Sequence, residues 1–197
     1  MRRITTRFLA AFVLLAASGT AFAHPGHNFS GFAAGWMHPF SGMDHLLAMV
    51  AVGLWAAQSY GKGRGGRKVW LLPAAFMTML AAGAGIAMHW QSLPLVEAGI
   101  AASVLSLGLL VALSLQLPVA LSMTITGLFG LLHGYAHGLE LPESAAPAEY
   151  ALGFLAATAT LHLTGIVAGV AMHRHHLLSR ILGSAIAVSG AYLLAGT

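Results

Sequence analysis

The chain has 197 residues, 58% of them hydrophobic and only 7% charged, against about 25% charged in ordinary soluble domains, which excludes a water-soluble globular fold. It contains no cysteine, so disulfides, thiolate metal sites and cysteine nucleophiles are excluded too. The formal net charge is +4, but Arg2, Arg3 and Arg7 fall in an N-terminal leader pattern, and the other six Lys/Arg nearly balance five Asp/Glu. Nucleic acid is therefore not an expected partner.

Residues 1–23 read as a cleavable signal peptide. Arg2, Arg3 and Arg7 form the basic region, Phe8 to Ala17 the apolar stretch, and Ala21-Phe22-Ala23 a small-x-small cleavage site. Cleavage leaves His24 as the mature N-terminus, in the periplasm of a bacterial cell. The remainder, 24–197, reads as one all-α, polytopic transmembrane domain. Its six expected spans cover about 29–59, 69–90, 95–115, 119–138, 149–172 and 177–196. With both mature termini outside, Lys62, Arg64, Arg67, Lys68, Arg174 and Arg180 all fall at the inner side, while Glu140, Glu143 and Glu149 fall outside. This is the positive-inside arrangement expected of an inner-membrane protein. The glycine-rich basic loop at 61–68 lacks the Gly-Lys-Ser/Thr ending of a phosphate loop, so no ATPase is implied.

The first span is too long. About 31 residues make roughly 46 Å of helix against a ~30 Å hydrocarbon core. Pro39 and Gly42 predict a break near 38–42, because proline removes a backbone donor and crowds the preceding turn. On a straight helix His38 and His45 would lie about 10 Å apart along the axis, too far to share an ion. A break lets His38 fold toward Asp44 and His45. Asp44 and His45 themselves diverge by about 100°, so one can ligate while the other orients a supporting group.

A second polar cluster follows in span four. His133 and His137 are four residues apart, on one helical face, where two imidazoles can bind one ion. Gly130, Gly134 and Gly138 recur every fourth residue, the spacing that lets another helix approach closely. His89 ends span two on the outer side and Glu97 opens span three there. An acid at that position also suits the helix dipole. Glu140 lies just beyond the second cluster, and His162 lies deeper in span five as a possible relay. His24 and His27 are candidates for capturing an ion at the outer surface. The expected metal residues are His38, Asp44, His45, His133 and His137, with His24, His27, His89, Glu97, Glu140 and His162 as access or relay groups.

Imidazole and carboxylate without thiolate suit the borderline divalent ions Ni²⁺, Co²⁺ and Zn²⁺. The residues alone carry the reading to a membrane protein that handles a divalent transition metal, with no organic cofactor. The motif His38-x5-Asp44-His45, followed by His133-Gly134-x-Ala136-His137-Gly138-x-Glu140-x-Pro142, resembles the HupE/UreJ family of nickel permeases over essentially the whole mature chain. That resemblance implies a secondary transporter that brings Ni²⁺ inward for hydrogenase or urease maturation, with Co²⁺ as the alternative cargo. It also implies that His38, Asp44, His45, His133 and His137 are the functional residues. The rival from another class is an intramembrane zinc hydrolase, against which stands the lack of a His-Glu-x-x-His base.

Overall fold

The computed structural model describes residues 31–61, 66–90, 94–140 and 146–197. The expected signal peptide, His24 and His27 lie outside them. Among the described residues all regular structure is helical: α1 (Phe32–Ser41), α2 (Met43–Tyr60), α3 (Leu71–Ala87, entered through a 3-10 turn at Gly66–Trp70), α4 (Val96–Ala112), α5 (Val119–Leu139), α6 (Pro147–Ala171) and α7 (His176–Ala195). Four continuous stretches, Gly66–Ala87, Val119–Leu139, Pro147–Ala171 and His176–Ala195, are long and apolar enough to cross a membrane. The pair α1 and α2 qualifies as a fifth, bent by 87°. Helix α4, with 17 residues, is about 26 Å long, slightly shorter than a hydrocarbon core.

The bend falls at Gly42, whose backbone is extended (φ −108°, ψ 126°). Pro39 stands inside α1 rather than ending it. Proline costs the helix one donor there, but the helix continues for two more residues, and the Ser41 hydroxyl donates to the His38 carbonyl at 2.6 Å. Glycine at 42 leaves room for the groups beyond the bend: a Cβ would lie 2.6 Å from Asp44 Oδ1 and 2.9 Å from the His45 ring, and both side chains would have to move. Just beyond the bend, Asp44 Oδ1 accepts the His45 backbone N–H at 2.8 Å, one of the unpaired donors at the start of α2.

Helix α2 is the centre of the bundle. Ala48, Met49, Ala51, Val52, Trp55 and Ala56 are all fully buried, as expected of a helix that is apolar on every side. The outer helices invert the soluble pattern. Leu121, Leu128, Leu152, Leu163, Val167, Leu177 and Val188 are exposed, while histidines, serines and threonines are buried. Helix α2 also closes off the end of α4. Trp55 donates to the Leu115 carbonyl at 2.8 Å and Tyr60 to that of Leu117 at 2.8 Å, satisfying carbonyls that no helix turn follows.

Glycines set the remaining interfaces. Gly130, Gly134 and Gly138 of α5 lie against the backbone of α3 at Phe76, Leu80 and Ala84, and Gly53 of α2 and Gly165 of α6 face each other's helices. Without a hydrophobic force between helices in lipid, such close backbone approach is a main source of packing energy. A Cβ at Gly134 would run into the Leu80 carbonyl, whereas one at Gly85 on the same pair's outer face meets nothing within 4 Å. Gly134→Ala is therefore expected to destabilise the detergent-solubilised protein by about 1–3 kcal/mol, the usual cost of overpacking. Gly85→Ala should be neutral or slightly stabilising. Thermal melts of the two variants side by side check this, and equal melting temperatures would contradict it.

Candidate metal centre

Three helix ends meet at one end of the bundle. The last turn of α1 carries His38, the first turn of α2 carries His45, and the last turn of α5 carries His137, with Glu140 at its C-cap. The bend at Gly42 brings the first two together across a distance that a straight helix would not close. One ligand atom from each of His38, His45, His137 and Glu140 lies within 4.8 Å of the other three. His137 is the hub: its ring centroid is 4.1 Å from that of His45 and 4.7 Å from that of His38. Two of the three helix ends, those of α1 and α5, are carboxyl ends whose negative dipole favours a cation, against the positive amino end of α2.

Glu140 Oε2 lies 3.2 Å from His38 Nε2 and 3.3 Å from His137 Nδ1. The approach to His137 is close but not aligned as a hydrogen bond, and neither His137 nitrogen has a hydrogen-bond partner among the described residues. The imidazoles of His137 and His38 hold the Glu140 carboxyl well below the usual carboxylate range, so it stays ionised. His45 Nδ1 and His133 Nε2 are likewise buried without a partner among the described residues. Buried polar atoms are nearly always paired. Unpaired nitrogens converging beside a carboxylate are groups that could hold a metal ion.

The other expected residues take distinct places. Asp44 stands beside the four, its Oδ1 accepting the His45 backbone N–H and lying 3.6 Å from His45 Nδ1, too far for a hydrogen bond to the ring. His133 lies one turn deeper than His137, its ring 5.4 Å from that of His45. Its Nδ1–H donates to the Phe129 carbonyl at 2.9 Å, which fixes the tautomer and leaves Nε2 with a free lone pair. His162 is buried farther down, beside Phe76. Glu97 is exposed in the first turn of α4 and lines, with Glu140, Leu139 and Thr197, a cavity of about 510 Å³. His89 is exposed just past the end of α3.

Two features were not foreseen. Glu140, expected only as an access group, stands among the four; its spacing of three from His137 puts both on one helical face. The aromatic wall formed by Phe154, 4.4 Å from the His137 ring, and Tyr150, 5.9 Å from that of His38, left no signal in an apolar span.

The family model described as HupE / UreJ protein matches residues 12–193. "Protein HupE" of Rhizobium leguminosarum bv. viciae is 42% identical over 198 residues, covering 98% of both chains. No solved structure matches this chain. With a family match over most of its length and a relative of nearly equal extent, the chain belongs to the HupE/UreJ family, whose members are accessory metal transporters and not enzymes.

Proposed function

We propose that this protein is an inner-membrane permease that carries a divalent transition metal, foremost Ni²⁺, from periplasm to cytoplasm for hydrogenase or urease maturation. In this reading residues 1–23 are removed as a signal peptide, and six spans follow with both termini outside. The first is the α1–α2 pair and the third is the short α4. The observation that carries the reading is the set of three imidazoles and one carboxylate, drawn from three helix ends to within 4.8 Å of one another. Borderline divalent ions prefer this thiol-free mixture.

A hydrated ion arrives at the cavity between Glu97 and Glu140. It sheds water onto His38, His45, His137 and Glu140, with the Asp44 carboxylate beside them at the start of α2 and His133 as the next ligand inward. A site that passes its ion on must bind it only moderately. The membrane potential supplies about 2.3 kcal/mol per charge per 100 mV, hence roughly 4.6 kcal/mol for a dication. That sustains about a thousandfold accumulation without ATP.

Uptake of radiolabelled Ni²⁺ into proteoliposomes with an inside-negative potential tests this. Uptake is expected to require the protein, to collapse when the potential is dissipated, and to be competed by unlabelled Co²⁺ more than by Mg²⁺. A preference for Co²⁺ over Ni²⁺ would change the cargo and leave the pathway intact. No uptake of Ni²⁺, Co²⁺ or Zn²⁺ by reconstituted protein would refute the permease.

The pH dependence has a definite sign. Glu140 remains ionised well below the usual carboxylate range, so protons compete with the dication chiefly for the imidazole nitrogens, which must be neutral to ligate. Uptake should therefore fall, not rise, as the medium is acidified. A steady rise from pH 7 to pH 5, measured at constant potential, would contradict the proposed ligand set.

A further inference from the structure

Below the metal centre the bundle contains another buried imidazole without a hydrogen bond among the described residues. His162 of α6 is 1% exposed, and neither of its ring nitrogens has a hydrogen-bond partner among the described residues. A histidine kept for packing alone normally satisfies at least one nitrogen. One turn toward the metal centre on the same face of α6 is Thr158, fully buried, with its hydroxyl also unpaired among the described residues. The exposed hydroxyls behave differently: Thr160 and Thr164 of the same helix donate back to the carbonyl four residues earlier, at 2.9 and 2.8 Å. That back-bond is the ordinary local solution for a helical threonine, and Thr158 leaves it unmade while facing inward.

His162 also occupies a definite level. The fully buried ring of Phe76 neighbours two histidines, 5.5 Å from that of His133 and 5.2 Å from that of His162. Along α6, His162 is eight residues past Phe154, which packs on His137, or about 12 Å. Seven residues farther, about 10 Å, Gly169 lines a cavity of about 840 Å³ at the opposite end of the bundle, together with Gln58, Gln116, His173 and Ser179. His162 thus stands roughly midway between the four-residue centre and the far cavity.

The geometry points to a second, transient cation station, formed by the His162 imidazole and the Thr158 hydroxyl, which receives the dication after it passes the Phe76 ring. This rests on the permease reading and adds a residue to the path. A single imidazole with a hydroxyl holds a divalent ion weakly, which suits a step that must release it.

The test uses three variants in the full chain, reconstituted at matched density. His162→Leu keeps an apolar side chain of similar bulk and removes the ligand. Ni²⁺ uptake is expected to fall at least tenfold while equilibrium Ni²⁺ binding in detergent, which reads the outer centre, stays within twofold of the unsubstituted protein. Thr158→Val should lower uptake less, by about two- to fivefold. His162→Cys introduces the only thiol in the chain. It should retain part of the uptake, react with a small charged methanethiosulfonate reagent, and be protected from it by Ni²⁺. Undiminished uptake by His162→Leu would overturn the inference, as would a thiol at that position that is unreactive or that Ni²⁺ does not protect. If His162→Leu loses Ni²⁺ binding as well, its fold is damaged and the thiol experiment decides alone. Absence of uptake by the unsubstituted protein would defeat the permease reading itself and this station with it.

Discussion

His137→Ala is expected to reduce Ni²⁺ uptake to the empty-vector background in cells where the variant reaches the membrane at normal abundance. His137 is the group that the others share: its ring lies 4.1 Å from His45 and 4.7 Å from His38 between centroids, and Glu140 Oε2 is 3.3 Å from its Nδ1. Without it, His38 and His45 remain 6.3 Å apart between centroids, and only three of the four ligand atoms are left. Loss of a group that merely supports a ligand typically costs 10–100-fold in metal affinity, so loss of the central ligand should cost more than that. Its side chain is 4% exposed, and truncation also opens space beside Phe154, so abundance must be measured along with uptake. His137→Gln, which fills more of that space without supplying an imidazole, should be equally inactive. Substantial uptake by either variant at matched abundance would remove His137 from the ligand set.

Glu140→Gln is expected to raise the KM for Ni²⁺ uptake at least tenfold and to weaken the dependence of uptake on ionic strength. The amide keeps the shape of the side chain and an oxygen that can ligate, but not its charge. That charge is the outermost of the centre: Glu140 is half-exposed and borders the cavity shared with Glu97. The imidazoles of His137 and His38 already hold its carboxyl low, so the anion persists at every pH relevant to uptake. An anionic mouth attracts a dication over a distance set by salt screening, and this part of the effect should fade at high salt. Uptake curves at two ionic strengths with both proteins separate the two contributions. An unchanged KM would mean that Glu140 neither attracts nor holds the ion.

Much of the frame was legible from the chain itself because a bilayer imposes length. A first apolar segment of about 31 residues cannot span a ~30 Å core straight, and Pro39 and Gly42 are the residues able to break it. The break falls at Gly42, where a Cβ would press on Asp44 and His45, while Pro39 is accommodated two residues before the end of α1. The gathering of His38, His45 and His137 depends on that bend and on the end of α5, a helix packed on α3 and α4, reaching the α1–α2 junction. Spacing along one chain limits which pairs can meet on one helix, but not which helices are neighbours. Glu140 shows the difference, because its relation to His137 is local and readable, whereas its 3.2 Å approach to His38 is tertiary. The contact of Phe76 with both His133 and His162 was hidden for another reason. A phenylalanine in an apolar span looks the same whether it faces lipid or touches two histidines.

The central claim is that three imidazoles and one carboxylate hold the ion that the protein carries. Nickel K-edge X-ray absorption on purified protein loaded below one Ni²⁺ per chain tests it most directly. The account predicts a shell of nitrogen and oxygen only, with outer-shell scattering from three imidazoles, falling to two in His38→Ala. A shell of water-like oxygens with no more than one imidazole, or one containing sulfur from methionine, would contradict it.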